Sequence, residues 1–300
     1  MQHSQNPARP TASSARAALY PLLFVALWST GFIGAKLGLP HAEPLTFLST
    51  RYAIVMLLMG LVVWRSSAPW PASWRAAWHI GVSGVLVHGV YLGGVFIAIG
   101  HGLPAGVAAL VVGLQPLLTA LGAGWMLGET VRPAQWAGLA AGFAGVALVV
   151  AHKVAAGAGA ATLWTLLLPV GVALLCITAG TLYQKRYCPS FDLRTGSLIQ
   201  FLPCVLLTGL AAAATETMHI DWTPSFVFAL GWLSLVLSLG AVTLLNVLIR
   251  TGSAVNVASL FYLVPPCTAL VAWALFGETL TGLALVGMGL TVFGVWLARK

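Results

Sequence analysis

The amino-acid sequence predicts an all-α integral membrane protein, with ten transmembrane helices in two inverted five-helix repeats and both termini in the cytoplasm. Three observations predict this fold. Of the 300 residues, 59% are hydrophobic and 7% are charged, whereas charged residues make up about 25% of an average soluble domain. The apolar residues form runs of membrane-spanning length. A motif near the middle of the chain recurs near its end.

The apolar runs account for the predicted helices. A helix needs about 20 apolar residues to cross a bilayer, and continuous apolarity favours helices over the alternating strands of a closed barrel. Short connections separate the runs. The predicted helices cover residues 17–39, 45–64, 77–99, 104–127, 133–151, 161–184, 195–214, 225–249, 254–276 and 281–298.

The segment before the first run, residues 1–16, is rich in Ser, Pro and Ala and is predicted to form a flexible cytoplasmic tail. Because Arg9 and Arg16 precede the first run, a cleaved signal peptide is the alternative interpretation. The run from Ala17 to Ala35 is longer than the apolar core of a signal peptide, which is about 7 to 15 residues. Its length favours a retained first helix.

The distribution of basic residues predicts the orientation, since cytoplasmic loops carry an excess of Lys and Arg. With the N-terminus inside, eleven of the fourteen basic residues fall at cytoplasmic ends, and only Lys36, Arg51 and Lys153 fall at outer ends. Both termini are therefore predicted to be cytoplasmic. The cations punctuate the apolar runs instead of clustering, so the net charge of +8 does not indicate a nucleic-acid partner.

The internal repeat emerges when the sequence is shifted by 149 positions. Residues 115–148, QPLLTALGAGWMLGETVRPAQWAGLAAGFAGVAL, then align without a gap with residues 264–297, VPPCTALVAWALFGETLTGLALVGMGLTVFGVWL. A proline, a threonine and a Gly-Glu-Thr triplet fall in register, which chance rarely produces in apolar sequence. Since each copy holds five helices, the second copy must cross the membrane in the opposite sense. The predicted repeats are residues 17–151 and 161–298.

Prolines interrupt corresponding helices of the two copies. Pro116 lies in the fourth predicted helix, and Pro265 and Pro266 lie in the ninth. A proline inside a helix removes one hydrogen bond and clashes with the preceding turn. Paired interruptions of this kind are typical of transport sites between inverted repeats, near the middle of the bilayer. A packing kink is the alternative, but the pairing favours helices that line a pathway and move around these prolines.

No cofactor or metal is expected. The four cysteines show no CxxC spacing, and the glycine-rich stretches lack the strand context of a phosphate-binding loop. The expected partners are therefore the lipid bilayer and a small-molecule solute, and the chain is expected to act as a monomer.

At this level of detail the chain resembles a known family. The two Gly-Glu-Thr segments, the stretch LWSTGFIGAK (27–36) and the stretch PLTFLSTRY (44–52) resemble EamA-domain proteins of the drug/metabolite transporter superfamily, over residues 20–298. Within it the chain is similar to bacterial aromatic amino-acid exporters of the YddG type. The resemblance implies an inner-membrane protein that exports small metabolites by alternating access. It also implies a central cavity lined by the first, third, fourth, sixth, eighth and ninth helices.

Neutral polar and aromatic residues inside the predicted helices are suited to binding an amphipathic solute. All six carboxylates map to loops or helix ends, so no membrane-buried acid can carry a proton. Amides and hydroxyls bind a zwitterion without a permanent buried charge, and aromatic rings stack on apolar substrate groups. The candidate substrate-binding residues are Trp28, Ser29, His88, Tyr91, Gln115, Trp164, Asn246, Asn256 and Tyr262.

Helical spacing predicts which of these candidates share a face. Tyr91 follows His88 by three residues, and Asn256 and Tyr262 share a face with Ser259. His88 is the one central titratable group, and two roles stay open for it: proton coupling or a neutral hydrogen bond within the bundle. For each amide or hydroxyl, an interhelical hydrogen bond is the alternative to substrate binding.

Other functions are weighed against amino-acid export. Broad efflux of amphiphilic compounds, or transport of another metabolite such as a nucleotide sugar, fits the same fold. Nucleotides usually require a buried Lys or Arg, and no cation maps to the membrane centre. An integral-membrane enzyme needs converging His and carboxylate residues or a metal cluster, but His79, His88 and His101 have no acidic neighbour.

Overall fold

A computed structural model of the chain describes residues 12–103, 108, 111–154, 160–276 and 281–299, apart from the side chains of residues 12–18, 149–154, 160–166, 272 and 276. The residues described are helical except for turns and one isolated bridge between Ala42 and Ile220. The predicted all-α class is therefore confirmed. The description therefore leaves out the side chains of Lys153 and Trp164 and all of Glu278, the glutamate of the second Gly-Glu-Thr triplet.

Apart from α4, the helices follow the predicted segments closely; α4 begins at Gln115, and residues 104–107 and 109–110 of the fourth predicted segment lie outside the described residues. Their bounds are α1 Ala12–Gly38, α2 Pro44–Arg65, α3 Trp74–Gly100, α4 Gln115–Leu127, α5 Pro133–Val154, α6 Ala160–Tyr187, α7 Leu193–Thr215, α8 Pro224–Thr251, α9 in three parts (Ala254–Ser259, a 3-10 turn Leu260–Leu263, and Val264–Phe276) and α10 Gly282–Ala298. Helix α1 begins within the segment that the sequence predicts as a tail.

Seven helices in the described part of the chain are long and apolar enough to cross a bilayer. They lie in α1, α2, α3, α6, α7, α8 and α9. Helix α10 is apolar but shorter, with 17 residues. Their length and apolarity are what a multi-pass membrane protein requires.

Helices α5 and α10 pack with their backbones in contact. A methyl group added at Gly138 would lie 2.6 Å from the carbonyl oxygen of Gly294, and one added at Gly145 would lie 2.6 Å from that of Gly287. The 149-residue shift makes Gly287 the counterpart of Gly138, and Gly294 the counterpart of Gly145. The early glycine of each helix thus meets the late glycine of the other. This reciprocity means that the helices run antiparallel and are related as across a two-fold axis.

The other helix contacts also occur in corresponding pairs. Helix α1 packs against α8 and α9, and its counterpart α6 packs against α3 and α4. Helix α2 packs against α8, and its counterpart α7 packs against α3. The packing of one half therefore reappears in the other.

Two helices contain π-helical segments at corresponding positions. The first, Val85–Val90, lies within α3, and the second, Leu233–Ala241, lies within α8. A shift of 149 residues places the first inside the second. Because a π turn inserts an additional residue, it changes which side chains face the neighbouring helices. Such turns are frequent at functional sites.

The prolines lie where the helical path is broken. Helix α4 begins at Gln115 after a turn, so Pro116 occupies its first helical turn. In α9 the α-helical path resumes at Val264 after the 3-10 turn, so Pro265 is placed likewise. A proline there costs little, because the first turn has no intrahelical acceptor for its missing N–H. The predicted interruptions are therefore present, as helix restarts instead of smooth kinks.

The carboxylates that the structure describes lie at helix ends or in loops, as the sequence predicts. Glu216 accepts hydrogen bonds from the amides of Leu45 and Thr46 at 2.8 and 2.7 Å, at the N-terminus of α2. Glu43 accepts from the amide and hydroxyl of Thr217 at 2.7 and 2.6 Å, and these bonds lower the pKa of Glu43. The two glutamates tie the start of α2 to the end of α7.

Candidate functional site

Three small cavities follow one another along the boundary between the two halves. The first lies between α1, α2, α3 and α8 and is walled by Trp28, Phe32, Tyr91 and Phe96 together with aliphatic residues. Its volume is about 40 Å³, which holds about three water molecules. An amino acid does not fit into the space that the described residues leave here.

The second and third cavities continue toward the Lys185 end of α6. The second shares Trp28, Phe32 and Tyr91 with the first, and Pro265 contributes to its wall. The third is lined by Gln115 of α4, by Thr181 and Lys185 of α6 and by residues of α8 and α9. The walls come from α1, α3, α4, α6, α8 and α9, which is the set that the resemblance implies, with Arg51 added from α2.

An aromatic cluster interrupts this line of cavities. Phe24, Trp28 and Phe261 pack with ring centroids 5.1 to 5.5 Å apart, and the rings of Trp28 and Phe261 meet edge to face. Phe261 lines both the second and the third cavity. Trp28 and Phe261 are therefore placed to separate the two ends of the boundary. The sequence analysis selected Trp28 and Tyr91 but missed Phe261.

Ser29 joins two helices instead of lining a cavity. Its hydroxyl lies 2.7 Å from the carbonyl oxygen of Val25 and 3.3 Å from that of Val264, and Thr268 donates a hydrogen bond to the Ser29 carbonyl. These contacts hold α1 against α9 just before Pro265. In the stretch LWSTGFIGAK, the residues that line the first cavity are Trp28, Gly31, Phe32 and Ala35.

His88 is packed away from the cavities. Its ring stacks on Phe201 with centroids 4.9 Å apart, and neither ring nitrogen has a hydrogen-bond partner in the described part of the chain. Tyr52 donates a hydrogen bond to the backbone carbonyl of His88. A charged imidazole without partners is costly in an apolar interior, so the surroundings favour the neutral ring. Neither of the two predicted roles, proton coupling or a hydrogen bond, is visible here.

Gln115 faces the third cavity without a partner. Its side chain is fully buried, and both its amide oxygen and its amide nitrogen lack hydrogen bonds to the described residues. An unpaired buried amide costs about 1 to 3 kcal/mol. Gln115 therefore borders the third cavity with an amide that has no partner among the described residues.

Asn246 belongs to a closed group of side chains, here called the amide cluster: Gln184, Gln200, Asn246 and Ser83. Gln184 donates to Asn246 at 2.8 Å, Asn246 donates to Gln200 at 3.3 Å, and Gln200 donates to Ser83 at 3.1 Å and to Gln184 at 3.3 Å. All four residues are buried. The cluster links α3, α6, α7 and α8, so Asn246 has the interhelical role that was the alternative to substrate binding.

Tyr262 points toward α5. A methyl group added at Gly142 would lie 2.6 Å from the Tyr262 ring, so the glycine makes room for it. Asn256 is half-buried, and Ser259 donates to its backbone carbonyl at 2.9 Å. The residues of α9 that line the cavities are apolar instead: Ala254, Val257, Ala258, Phe261, Val264 and Pro265. The prediction that the polar face lines the pathway does not match this arrangement.

Arg51 is the residue that the sequence analysis assigned to the wrong environment. We expected it at the outer end of its helix, exposed to the membrane surface or the outside. Its side chain is 3% exposed and lines the first cavity. Arg51 is the eighth residue of α2, which places it about 10 Å along the helix from its start. Arg51 is therefore buried inside the bundle, in the first half of α2.

The Lys185 end of the boundary is closed by charged residues. Glu129 accepts from the amide of Ala254 at 3.1 Å and lies 3.8 Å from the ammonium of Lys185. Lys185 also donates to the carbonyl oxygens of Ile249 and Gly252. These contacts join α4, α6 and the connection between α8 and α9 beside the third cavity.

Among the described residues, no three His, Cys, Asp or Glu side chains come together as metal ligands.

Of the predicted site residues, the structure brings together Trp28, Tyr91, Gln115 and Pro265 along the cavities. Pro116 and Pro266 lie next to them in the chain, and the side chain of Trp164 lies outside the description.

Comparison with known proteins assigns this arrangement to a family. The model of the EamA-like transporter family matches residues 15–151 and 162–299. An uncharacterized inner membrane transporter of Escherichia coli strain K12, YedA, is 27% identical over 286 residues, which cover 93% of this chain and 89% of the relative. A probable amino-acid metabolite efflux pump of Salmonella typhimurium strain LT2 is 28% identical over 92% of each chain. A solved crystal structure has the same fold, with a TM-score of 0.78 over 95% of this chain and 96% of the other at 21% identity.

Proposed function

The chain belongs to the EamA-like transporter family, and on that basis we propose that it exports aromatic and other apolar amino acids by alternating access. It is a multi-pass transporter of the bacterial inner membrane and not an enzyme. A relative named as a probable amino-acid metabolite efflux pump supports the substrate class. The observation that carries the proposal is the aromatic wall of the cavities between the two halves.

The proposed architecture is ten membrane-spanning helices in two inverted repeats, residues 17–151 and 161–298, with both termini in the cytoplasm. The antiparallel contact between α5 and α10 supports the inversion, since the early glycine of each helix meets the late glycine of the other. The corresponding positions of the π segments and of the helix restarts at Gln115 and Val264 support it further.

The proposed binding surface consists of Trp28, Tyr91, Gln115 and Phe261. Trp28 and Tyr91 stack on the side chain of the solute, because aromatic rings pack favourably against apolar and aromatic groups. Gln115 offers a donor and an acceptor that have no hydrogen-bond partner among the described residues. Trp28 and Phe261 must separate for the solute to pass from one end of the boundary to the other.

The proposed movement opens one end of the boundary while the other stays closed. The hydrogen bonds of Glu129 and Lys185 close one end in this structure. Pro116, Pro265 and Pro266 lie at the helix restarts beside the cavities, where the backbone has fewer intrahelical hydrogen bonds to hold it. These restarts are the positions at which we expect α4 and α9 to tilt.

Liposomes that contain the purified protein test the proposal. They are loaded with unlabelled L-phenylalanine, and entry of labelled L-phenylalanine is followed. We expect saturable counterflow that L-tryptophan inhibits and nucleotide sugars do not. Equal inhibition by unrelated amphiphilic cations would favour broad efflux, the second candidate, and absence of counterflow for every solute would contradict transport. Liposomes without protein give the background.

A further inference from the structure

The wall of the first cavity contains a buried cation. Arg51 is the charged side chain among the described residues that line this cavity, and its neighbours there are aromatic or aliphatic except for the Tyr91 hydroxyl. Guanidinium groups stay protonated at all physiological pH values. A fixed positive charge therefore borders a space that is otherwise suited to an apolar side chain.

The protein satisfies only part of this guanidinium. Its Nε donates to the hydroxyl of Ser238 at 3.1 Å, and the group has four further N–H donors. Within the described part of the chain, no carboxylate lies within 4.0 Å of Arg51. Its charge is thus not neutralised by a carboxylate in this structure.

Ser238 fixes the direction of the Arg51 side chain. It lies in the π segment of α8, and its hydroxyl also donates to the carbonyl oxygen of Leu233, five residues earlier, at 3.1 Å. The wider π turn lets Ser238 reach both groups. Ser238 therefore holds the guanidinium at Nε. The two terminal NH2 groups, on the side opposite to Nε, remain as a pair of donors.

Burying an uncompensated charge is expensive, and ionisable groups inside a membrane protein are generally functional and have a defined partner. The shape of guanidinium matches a carboxylate, which it binds through two parallel hydrogen bonds. A carboxylate supplied by the solute would complete the site only while solute is bound.

We propose that Arg51 binds the carboxylate of the transported solute and thereby restricts transport to acids with an apolar or aromatic side chain. This inference rests on the proposed function. Trp28, Phe32, Tyr91 and Phe96 surround the apolar part of the solute once the cavity widens. An amphiphile with the same ring and amine but no carboxylate leaves the guanidinium unpaired and binds more weakly.

The experiment compares L-phenylalanine with L-phenylalaninamide, which keeps the ring and the amine but replaces the carboxylate. Counterflow of each labelled compound is measured in liposomes that contain the purified wild-type, Arg51→Gln or Arg51→Lys protein. For the wild type we expect a preference of about tenfold or more for phenylalanine, the size of one charged hydrogen-bonded contact. Arg51→Gln brings the preference close to one by losing phenylalanine transport, whereas Arg51→Lys keeps part of it.

Two further variants keep the test informative. Arg65→Gln removes an exposed arginine from the other end of α2 and should leave both fluxes unchanged. Ser238→Ala keeps the charge of Arg51 but no longer fixes the direction of its side chain. Phenylalanine transport should therefore fall several-fold, while phenylalaninamide transport should stay unchanged. This variant replaces Arg51→Gln if the latter elutes as an aggregate in size-exclusion chromatography.

The outcomes separate this inference from the proposed function. If the wild type transports neither compound nor any other amino acid, the proposed function fails. If the wild type transports both compounds equally well, the protein is a transporter but Arg51 does not select for a carboxylate. If monodisperse Arg51→Gln loses both fluxes to the same degree, Arg51 supports the fold or the movement and the inference is overturned.

Discussion

Two buried polar sites in the same bundle differ in how far the protein itself satisfies them. In the amide cluster, Gln184, Gln200 and Asn246 exchange hydrogen bonds with one another. None of these residues lines one of the three cavities. At the first cavity, Arg51 has one hydrogen bond among the described residues, to Ser238, and its side chain lines the cavity. The comparison teaches that burial alone does not identify a binding residue. A buried polar group that lacks a partner among the described residues and also borders a cavity is the stronger candidate.

The largest expected effect is on the amide cluster. Gln200→Leu leaves Gln184 and Asn246 with unpaired groups, so we expect a loss of about 2 kcal/mol in the free energy of unfolding. Thermal unfolding of the purified protein in detergent measures it, and the preference between phenylalanine and phenylalaninamide should not change.

A triple variant sharpens this prediction. Replacing Gln184, Gln200 and Asn246 together by Leu removes every amide partner at once, so most of the lost stability should return. If the triple variant is less stable than Gln200→Leu, the cluster contributes packing and not mutual satisfaction of hydrogen bonds.

Gln115→Leu tests an amide with no partner. Because its polar atoms form no hydrogen bonds with the described residues, we expect the thermal stability to be equal to or above that of the wild type. Phenylalanine counterflow should fall about tenfold through loss of one hydrogen-bonded contact, which is worth about 0.5 to 1.5 kcal/mol. Unchanged flux would remove Gln115 from the binding surface.

Glu129→Gln tests a partly buried charged pair, for which we expect a smaller effect than for the amide cluster. The variant keeps an oxygen for the Ala254 amide but loses attraction to Lys185, whose side chain is 21% exposed. We expect a loss of no more than about 1 kcal/mol. Labelling of an introduced cysteine, Ala258→Cys, in the third cavity by a water-soluble maleimide should become faster, because this end opens more often. The same cysteine in a wild-type background is the control.

The smallest effect is expected at the ion pair between Asp192 and Arg194, in which the arginine side chain is 43% exposed. Arg194 lowers the pKa of Asp192 to about 2 from the usual 3.8 through hydrogen bonds to its carboxylate. Because the folded pKa is depressed, the stabilisation is present above about pH 4 and is lost as the pH falls toward 2. Asp192→Asn should cost no more than about 0.5 kcal/mol at neutral pH, and its melting temperature should approach that of the wild type at pH 3. A constant difference across this range would contradict the electrostatic origin.

Local sequence signals found the helices and their breaks. Continuous apolar runs gave segments that agree with the observed helices, and Pro116 and Pro265 marked the restarts of α4 and α9. These features depend on residues close in sequence, such as the missing N–H of a proline. The glycines that meet in the contact between α5 and α10 occupy corresponding positions of the repeat.

Helix faces were harder to predict, and α9 shows why. Threefold spacing placed Asn256 and Tyr262 on one face, but that face packs against α5, where Gly142 leaves room for the Tyr262 ring. Phe261, the residue before Tyr262, lines the cavities instead. The sequence of α9 alone does not indicate that a glycine in another helix leaves space for one of its side chains. The π segments add the same difficulty in α3 and α8, since each changes the register of side chains beyond it.

The sequence by itself determined that the chain is an all-helical membrane protein with a repeated motif and breaks in corresponding helices. The reason is that the bilayer imposes length and apolarity on each helix separately. Only the tertiary structure decided which polar residues have partners. Arg51 is interior because α1, α3 and α8 close around it, and Asn246 is satisfied because Gln184 and Gln200 come from other helices. Hydrogen-bond partners distant in sequence and shared cavities exist only after the helices have packed.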